Sequence, residues 1–236
     1  MQKKPMLTIW DIDKTLYDGY AIIDFGIYLE KIGKFDNGFK EEIAQSKTNY
    51  ESGEIAYEAF AQSVYKIYGK YLFRKNMYEI LQLSKGFWEE AIDKIYPAAK
   101  VLYEFLNQQK SEHAAISGSS FESLYYLADR LGFVKIKTTE YETVDGNYTN
   151  KIVSQLVSHY DKSRIKDKVL NQKNKYERVV GVGDYFADSA FLKLVDMPIV
   201  MGVDDESLVK MAQDNNWLII EDKYSQPNTK GLKSIL

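Results

Sequence analysis

Short apolar runs punctuate the chain: MLTIWDI at residues 6–12, HAAIS at 113–117, RVVGVG at 178–183 and MPIVMG at 197–202. Runs of this length, bounded by glycine and separated by helical patterns, predict parallel strands in a βαβ architecture. Between the first run and HAAIS lie about a hundred residues without a strand pattern. In IAYEAFAQSVYKIYGKYL, Phe60, Val64, Ile67, Tyr68 and Tyr71 recur at helical spacing, while Asn37-Gly38 and Ser52-Gly53 mark interruptions. Residues 18 to about 92 therefore read as a bundle of helices inserted after strand one. Its tyrosines suit packing with polar tips. In KIKTTEYETVDGNYTNKIV, Asp145-Gly146 between two β-prone stretches predicts a hairpin projecting as a flap.

Composition narrows the function classes. The 236 residues are 45% hydrophobic and 28% charged, enough apolar content for a sizeable core in one large domain or one domain with an insert. A net charge of −3, with lysines scattered among acids, argues against a nucleic-acid partner. With no cysteine there is no thiolate nucleophile, thiolate metal site or disulfide, which fits a reducing cytoplasm. Asp11 interrupts the first apolar run before a signal-peptide core forms, and no run approaches the ~20 residues of a membrane span.

The chemistry gathers at strand ends, where open parallel sheets bind ligands. Asp11 ends the first run and is suited to attack phosphorus as a nucleophile. Two like charges ~4 Å apart repel by roughly 4 kcal/mol at an effective dielectric near 20, so a carboxylate facing a phosphate needs a cation between them. Asp184 and Asp188, in GVGDYFADSAFL, complete an acidic set with Asp11 and Asp13 whose hard oxygens suit Mg²⁺. Beside another carboxylate, Asp13 is expected to hold a proton and act as general acid and base. Thr15 is placed to orient that carboxyl group or its loop. Ser117 and Gly118 open a helix after the HAAIS strand and offer donors to anionic oxygens. Lys162, at another expected helix start, adds a point charge for phosphate and nucleophile. His113 and His159 have no partner at ligand spacing and read as structural or exposed.

The order DIDKT, ISGSS, YDKSR, GDYFAD resembles the four motifs of the haloacid dehalogenase superfamily of aspartyl-phosphate phosphotransferases, and most of all its phosphoserine-phosphatase-like branch. TTEYETVDGNYTNKI is similar to that branch's hairpin, and LKLVDMPIVMGVDDESLVKMAQDNNWLII to its C-terminal strand, helix and strand. The resemblance implies an α/β fold: a Rossmann-like, doubly wound parallel sheet over residues 1–17 and 93–236, with a helical cap at 18–92. It implies Asp11 as nucleophile and metal ligand, and Asp13 as acid/base with its backbone carbonyl on Mg²⁺. Asp184 would be a metal ligand and Asp188 a partner of the metal or its waters. Ser117, Gly118 and Lys162 would hold the phosphoryl group. Phosphoserine phosphatases grip the amino acid with a cap-side acid and an arginine; Asp18 and Arg74 are the counterparts here. Their SGG motif reads SGS, with Ser119 in place of a glycine.

The expected activity is Mg²⁺-dependent hydrolysis of a small phosphorylated metabolite. A phosphotransferase that passes the phosphoryl group to an acceptor hydroxyl is the alternative within enzymes. A signalling receiver or a silent binding protein is the alternative outside them. A receiver carries its phosphorylated aspartate after a later strand and has no long helical insert, so the placement of DIDKT favours the enzyme. Oligomeric state is not legible in the chain.

Overall fold

The structure, a computed structural model, describes residues 4–156, 162 and 174–227. The strands are β1 (Met6–Trp10), β2 (Ser111–Ser120), β3 (Phe133–Val144), β4 (Asn147–Ser154), β5 (Arg178–Gly183), β6 (Met197–Met201) and β7 (Leu218–Ile220). They form one sheet in the order β4-β3-β2-β1-β5-β6-β7, parallel except for the antiparallel β3–β4 pair. The chain moves outward from β1 to β3, then returns to lay β5 on the other side of β1. That reversal opens a crevice at the C-terminal ends of β1, β2 and β5.

Strand β1 is buried on both faces, which explains its nearly continuous apolar run. Leu7 and Ile9 pack on one side with Phe191 and Leu192 of α7 (Ser189–Leu192) and Leu208 of α8 (Glu206–Asp214). Trp10 packs on the other with Leu102 and Phe105 of α5 (Pro97–Gln108). The polar interruption in the strand, Thr8, is satisfied by Ser111 Oγ at 2.8 Å. His113 is buried and accepts from Trp10 Nε1 at 3.0 Å; burial lowers its pKa to about 4, so it is a neutral packing residue. His159 lies outside the described residues.

Between β1 and α5 stand four α-helices, α1 (Ala21–Lys31), α2 (Phe39–Glu51), α3 (Tyr57–Leu72) and α4 (Met77–Ala91). Phe60, Val64, Tyr68 and Tyr71 lie on the buried face of α3, and Ile67 packs at its margin. Asn76 starts α4 by accepting from Glu79 N at 3.2 Å. Trp88 of α4 donates to Ser123 O at 2.6 Å, on α6 (Phe121–Arg130), and meets the Tyr17 ring edge-on at 5.0 Å. The helical segment and the sheet thus share one continuous apolar cluster.

The Asp145-Gly146 turn, with φ of 50° and 75°, joins β3 to β4. The hairpin extends the sheet edge and is sewn to the α3–α4 connection by Arg74 N to Tyr148 O (2.9 Å), Tyr148 N to Lys75 O (2.9 Å) and Met77 N to Gly146 O (2.8 Å). Among the described residues no helix is long and apolar enough to cross a membrane.

Candidate active site

The end of β1 delivers the first two acids. Asp11 N donates to Val182 O at 2.9 Å, which continues the β1–β5 pairing by one residue and fixes the Asp11 side chain over the crevice. Lys14 then adopts φ of 63°, a left-handed conformation uncommon for a residue with a side chain, and the chain turns sharply with Lys14 N on Tyr17 O at 2.8 Å. Thr15 Oγ1 donates to Asp184 Oδ1 at 2.7 Å, so it orients the acid at the end of β5 and not its neighbour Asp13.

Asp13 is held by three donors. Oδ1 accepts Ala21 N at 2.7 Å, while Oδ2 accepts Ser119 Oγ at 2.6 Å and Ser117 Oγ at 3.2 Å. Ser119 Oγ in turn accepts Ile22 N at 3.0 Å. The first two N–H groups of α1, which no helical carbonyl can satisfy, therefore end on Asp13 and Ser119. A carboxylate at a helix N-terminus is favourable, yet burial outweighs these donors and raises the Asp13 pKa above its ordinary value. Ser119 is where the chain departs from the SGG pattern, and its hydroxyl links the Asp13 carboxyl group to the start of α1.

At the end of β2, Gly118 leaves room for Tyr65: a Cβ there would lie 2.9 Å from the Tyr65 hydroxyl and 3.2 Å from Leu156 O. At the end of β5, Gly183 is required by close approach, since a Cβ would lie 2.6 Å from that of Asp188. The absence of that carbon lets Asp188 fold back, so that Oδ2 accepts Asp184 N at 3.0 Å and Tyr185 N at 3.1 Å.

Two buried lysines complete the site. Lys162 Nζ donates to Asp11 Oδ1 at 2.9 Å and to Asp188 Oδ1. Burial works against its ammonium, but Asp11 and Asp188 outweigh that and raise its pKa. The helix start expected around Lys162 lies outside the described residues. Lys223 Nζ reaches Asp184 Oδ2 at 3.2 Å, Asp204 Oδ2 at 2.9 Å and Lys14 O at 2.9 Å. Nothing local in EDKYSQP marks Lys223; it arrives because Ala98 N donates to Lys223 O at 3.1 Å and pins the tail against the start of α5.

Carboxylate oxygens of Asp11, Asp184 and Asp188 converge within 4.8 Å of one another. Burial, reinforced by Asp188, Asp184 and Asp13, raises the Asp11 pKa well above the ordinary range even though Lys162 opposes it. Burial also raises Asp184 to about 6, against the pull of Lys223 and Thr15. Four carboxyl groups (Asp11, Asp13, Asp184, Asp188) stand against the two ammonium groups of Lys162 and Lys223, and Lys223 is also paired with Asp204. An all-oxygen donor set in which acids outnumber ammonium groups fits a hard divalent cation. The converging trio includes Asp188, whereas the Asp13 carboxylate is turned to the serines and α1.

These residues floor a cavity of about 140 Å³. Asp11, Asp13, Gly118, Lys162, Asp184 and Asp188 line its inner end. The rest of the lining draws on α1 to α3 and the loop before α1, through Tyr20, Ile22, Tyr57, Phe60, Val64 and Tyr65. Ser117 reaches the site through Asp13. Asp18 and Arg74 are not among the residues lining this cavity. Asp18 faces a neighbouring cleft, where it accepts Tyr96 Oη and Tyr224 Oη, each at 2.8 Å, and Lys14 Nζ at 3.2 Å. Burial raises its carboxyl, but those donors outweigh it and hold the pKa low. Arg74 sits at the α3–α4 turn with φ of 64° and its guanidinium 4.9 Å from the Phe73 ring centre.

A model of the haloacid dehalogenase-like hydrolase family matches residues 8–193. A phosphoserine phosphatase of Streptococcus thermophilus (strain ATCC BAA-250 / LMG 18311) is 25% identical over 200 residues, covering 82% of each chain. Among solved structures, a protein of unknown function from Bordetella pertussis Tohama I superposes with a TM-score of 0.74 at 18% identity, over 93% of this chain and 99% of that one. A substrate-bound phosphoserine phosphatase gives 0.63 at 17% identity, over 100% and 99%.

Proposed function

The chain belongs to the haloacid dehalogenase-like hydrolase family, and from that premise we propose that it is a Mg²⁺-dependent phosphatase that hydrolyses a small phosphomonoester through an aspartyl-phosphate on Asp11. The observation that carries the reading is the convergence of Asp11, Asp184 and Asp188 at the end of the central strands, with Lys162 bridging Asp11 and Asp188. The phosphoserine phosphatase relative supports the reaction class. The division into a core of residues 1–17 and 93–236 and a cap of 18–92 belongs to the same proposal, as does a cytoplasmic setting.

Asp11, Asp184 and Asp188 would hold the cation. When bound, it offsets the charge of the phosphoryl oxygens and of Asp11. In the first half-reaction an Asp11 carboxylate oxygen forms a bond to phosphorus as the ester P–O bond breaks, and Asp13 gives its proton to the leaving oxygen. In the second, Asp13 takes a proton from water, whose oxygen attacks the same phosphorus and releases Asp11 and inorganic phosphate. Lys162 favours the ionised form of Asp11 and aims it, and Ser117 and Ser119 fix the Asp13 carboxyl group. The inserted helices shield the site from water in the first step.

The test is phosphate release from a generic aryl phosphate. It is expected with Mg²⁺ and expected to vanish with EDTA; turnover that survives full chelation contradicts the reading. Stability should follow the same acids. The folded pKa of Asp184, about 6, lies above its ordinary value, so the metal-free native state holds a proton that the unfolded chain has lost. Its contribution to stability is fully present below the unfolded pKa and is lost as pH rises toward and through about 6. A cation replaces that proton. Mg²⁺ should therefore raise Tm by a few degrees (about 2–4 °C per kcal/mol) at pH 7.5 and by much less at pH 5, measured by differential scanning calorimetry.

A further inference from the structure

We infer that the cavity receives a phosphorylated ligand whose organic half is uncharged and apolar, an aryl or short alkyl phosphate and not the phosphate of an amino acid or hydroxy acid. The inference rests on the phosphatase reading for the chemistry and on the cavity wall for the ligand class.

The cavity is divided by charge. Every acidic or basic side chain among its described lining residues, tyrosines aside, belongs to the sheet ends and their loops: Asp11, Asp13, Lys14, Lys162, Asp184 and Asp188. The lining residues from Tyr20 through Tyr65 form a wall of aliphatic side chains (Ile22, Ile23, Ala61, Val64) and aromatic ones. Its titratable groups are tyrosines kept neutral: burial pushes Tyr20 up to about 12 and raises Tyr57 well above its ordinary value. At neutral pH this wall therefore offers apolar surface and hydroxyl groups, with no counter-ion.

An amino-acid half brings an ammonium and a carboxylate; the described residues of this wall supply a counter-ion for neither, and Lys14, 5.6 Å from the Tyr20 ring centre, already donates to Asp18 at 3.2 Å, so leaving water there is costly. Asp18 and Arg74, the pair that the resemblance offers for an amino-acid half, are engaged elsewhere. Asp18 is bound to Tyr96, Tyr224 and Lys14. Arg74 lies over Phe73 at a turn outside the cavity.

Tyr20 meets the Lys14 ammonium at 5.6 Å, and Tyr50, Tyr57 and Phe60 are taken up by aromatic neighbours. Tyr57 packs against Tyr185 with centroids 5.1 Å apart, against Tyr50 at 5.9 Å, and Tyr50 stacks on Phe60 at 5.4 Å. These rings meet one another, and the Tyr57–Tyr185 contact closes the wall between α3 and the loop after β5. A hydrophobic ligand gains area against such a surface without reorganising it.

The experiment compares kcat/KM, with Mg²⁺, for benzyl phosphate and n-propyl phosphate against O-phosphoserine, 3-phosphoglycerate and choline phosphate. The uncharged esters should exceed each charged one by ~10²-fold; any charged ester that equals or exceeds them overturns the inference. Calorimetry with non-hydrolysable benzylphosphonate and 2-amino-3-phosphonopropionate reads the wall independently of turnover. Tighter binding of benzylphosphonate supports the inference; tighter binding of the amino acid analogue, or no binding of either, overturns it. Tight benzylphosphonate binding with no ester hydrolysed would remove the phosphatase reading and leave the ligand class standing.

Discussion

Asp11→Asn is expected to lower kcat by at least ~10⁴-fold, the scale on which a nucleophile acting as part of a unit is lost, while leaving the protein as stable as before or more so. The first half follows from the proposed bond between Asp11 and phosphorus, which an amide oxygen forms too poorly to sustain turnover. The second follows from electrostatics. The Asp11 carboxyl is buried beside Asp188, Asp184 and Asp13, and these together raise its pKa well above the ordinary range despite Lys162. A neutral isostere removes an acidic group whose ionised form is disfavoured by burial and by the neighbouring acids. In metal-free buffer the variant's Tm should therefore equal or exceed that of the parent chain, and its response to Mg²⁺ should shrink. An inactive variant that has also lost its cooperative unfolding transition would indicate a damaged fold and not a missing nucleophile.

Lys162→Met should have the opposite balance of effects: less stability and less activity together. Lys162 Nζ lies between Asp11 and Asp188, whose side chains are 6% and 0% exposed. Removing one partner of a buried ion pair leaves uncompensated charge and costs about 3–5 kcal/mol. Loss of a preorganised cation at the reacting group lowers kcat by about 10²–10³-fold. Because Asp11 takes up a proton readily once its counter-ion is gone, the loss in Tm should be smaller at pH 5 than at pH 7.5. Lys162→Arg should not restore the parent behaviour, since a planar fork replaces the compact ammonium that bridges Asp11 and the fully buried Asp188. Chemical denaturation at the two pH values, with phosphate release at saturating Mg²⁺, reads both effects.

Much of this arrangement is legible in the chain because its strands are buried on both faces. MLTIW, RVVGVG and MPIVM stand out as apolar runs, and in the fold they are three adjacent parallel strands whose ends carry Asp11 and Asp184. Asp145-Gly146 forms the turn its residue types demand. The long strand β2 is less visible: HAAIS marks only half of Ser111–Ser120, because the hydroxyl-rich SGSS stays extended through Asp13, Ile22 N and Thr139 Oγ1, all distant in sequence. Lys223 is invisible for the same reason. It is one lysine in a polar tail, and only the packing of that tail on α5 brings it to Asp184. Ser119 is noticeable as a departure from a motif, but its bond to Asp13 depends on where α1 begins. The organic end of the cavity is the least legible part. Phe60 and Val64 read as packing residues in a helical pattern and the insert's tyrosines as packing residues with polar tips, and whether such a side chain faces the core or the cavity is decided by the path of three helices.

The most direct measurement is mass spectrometry of the chain quenched in acid during turnover of an aryl phosphate with Mg²⁺. One phosphoryl group on the peptide that carries Asp11, absent from Asp11→Asn and lost when turnover is allowed to run out, is the expected result. Sustained phosphate release with that peptide unmodified at every quench time, or with the phosphoryl group on another residue, would contradict the assignment of Asp11 as the nucleophile.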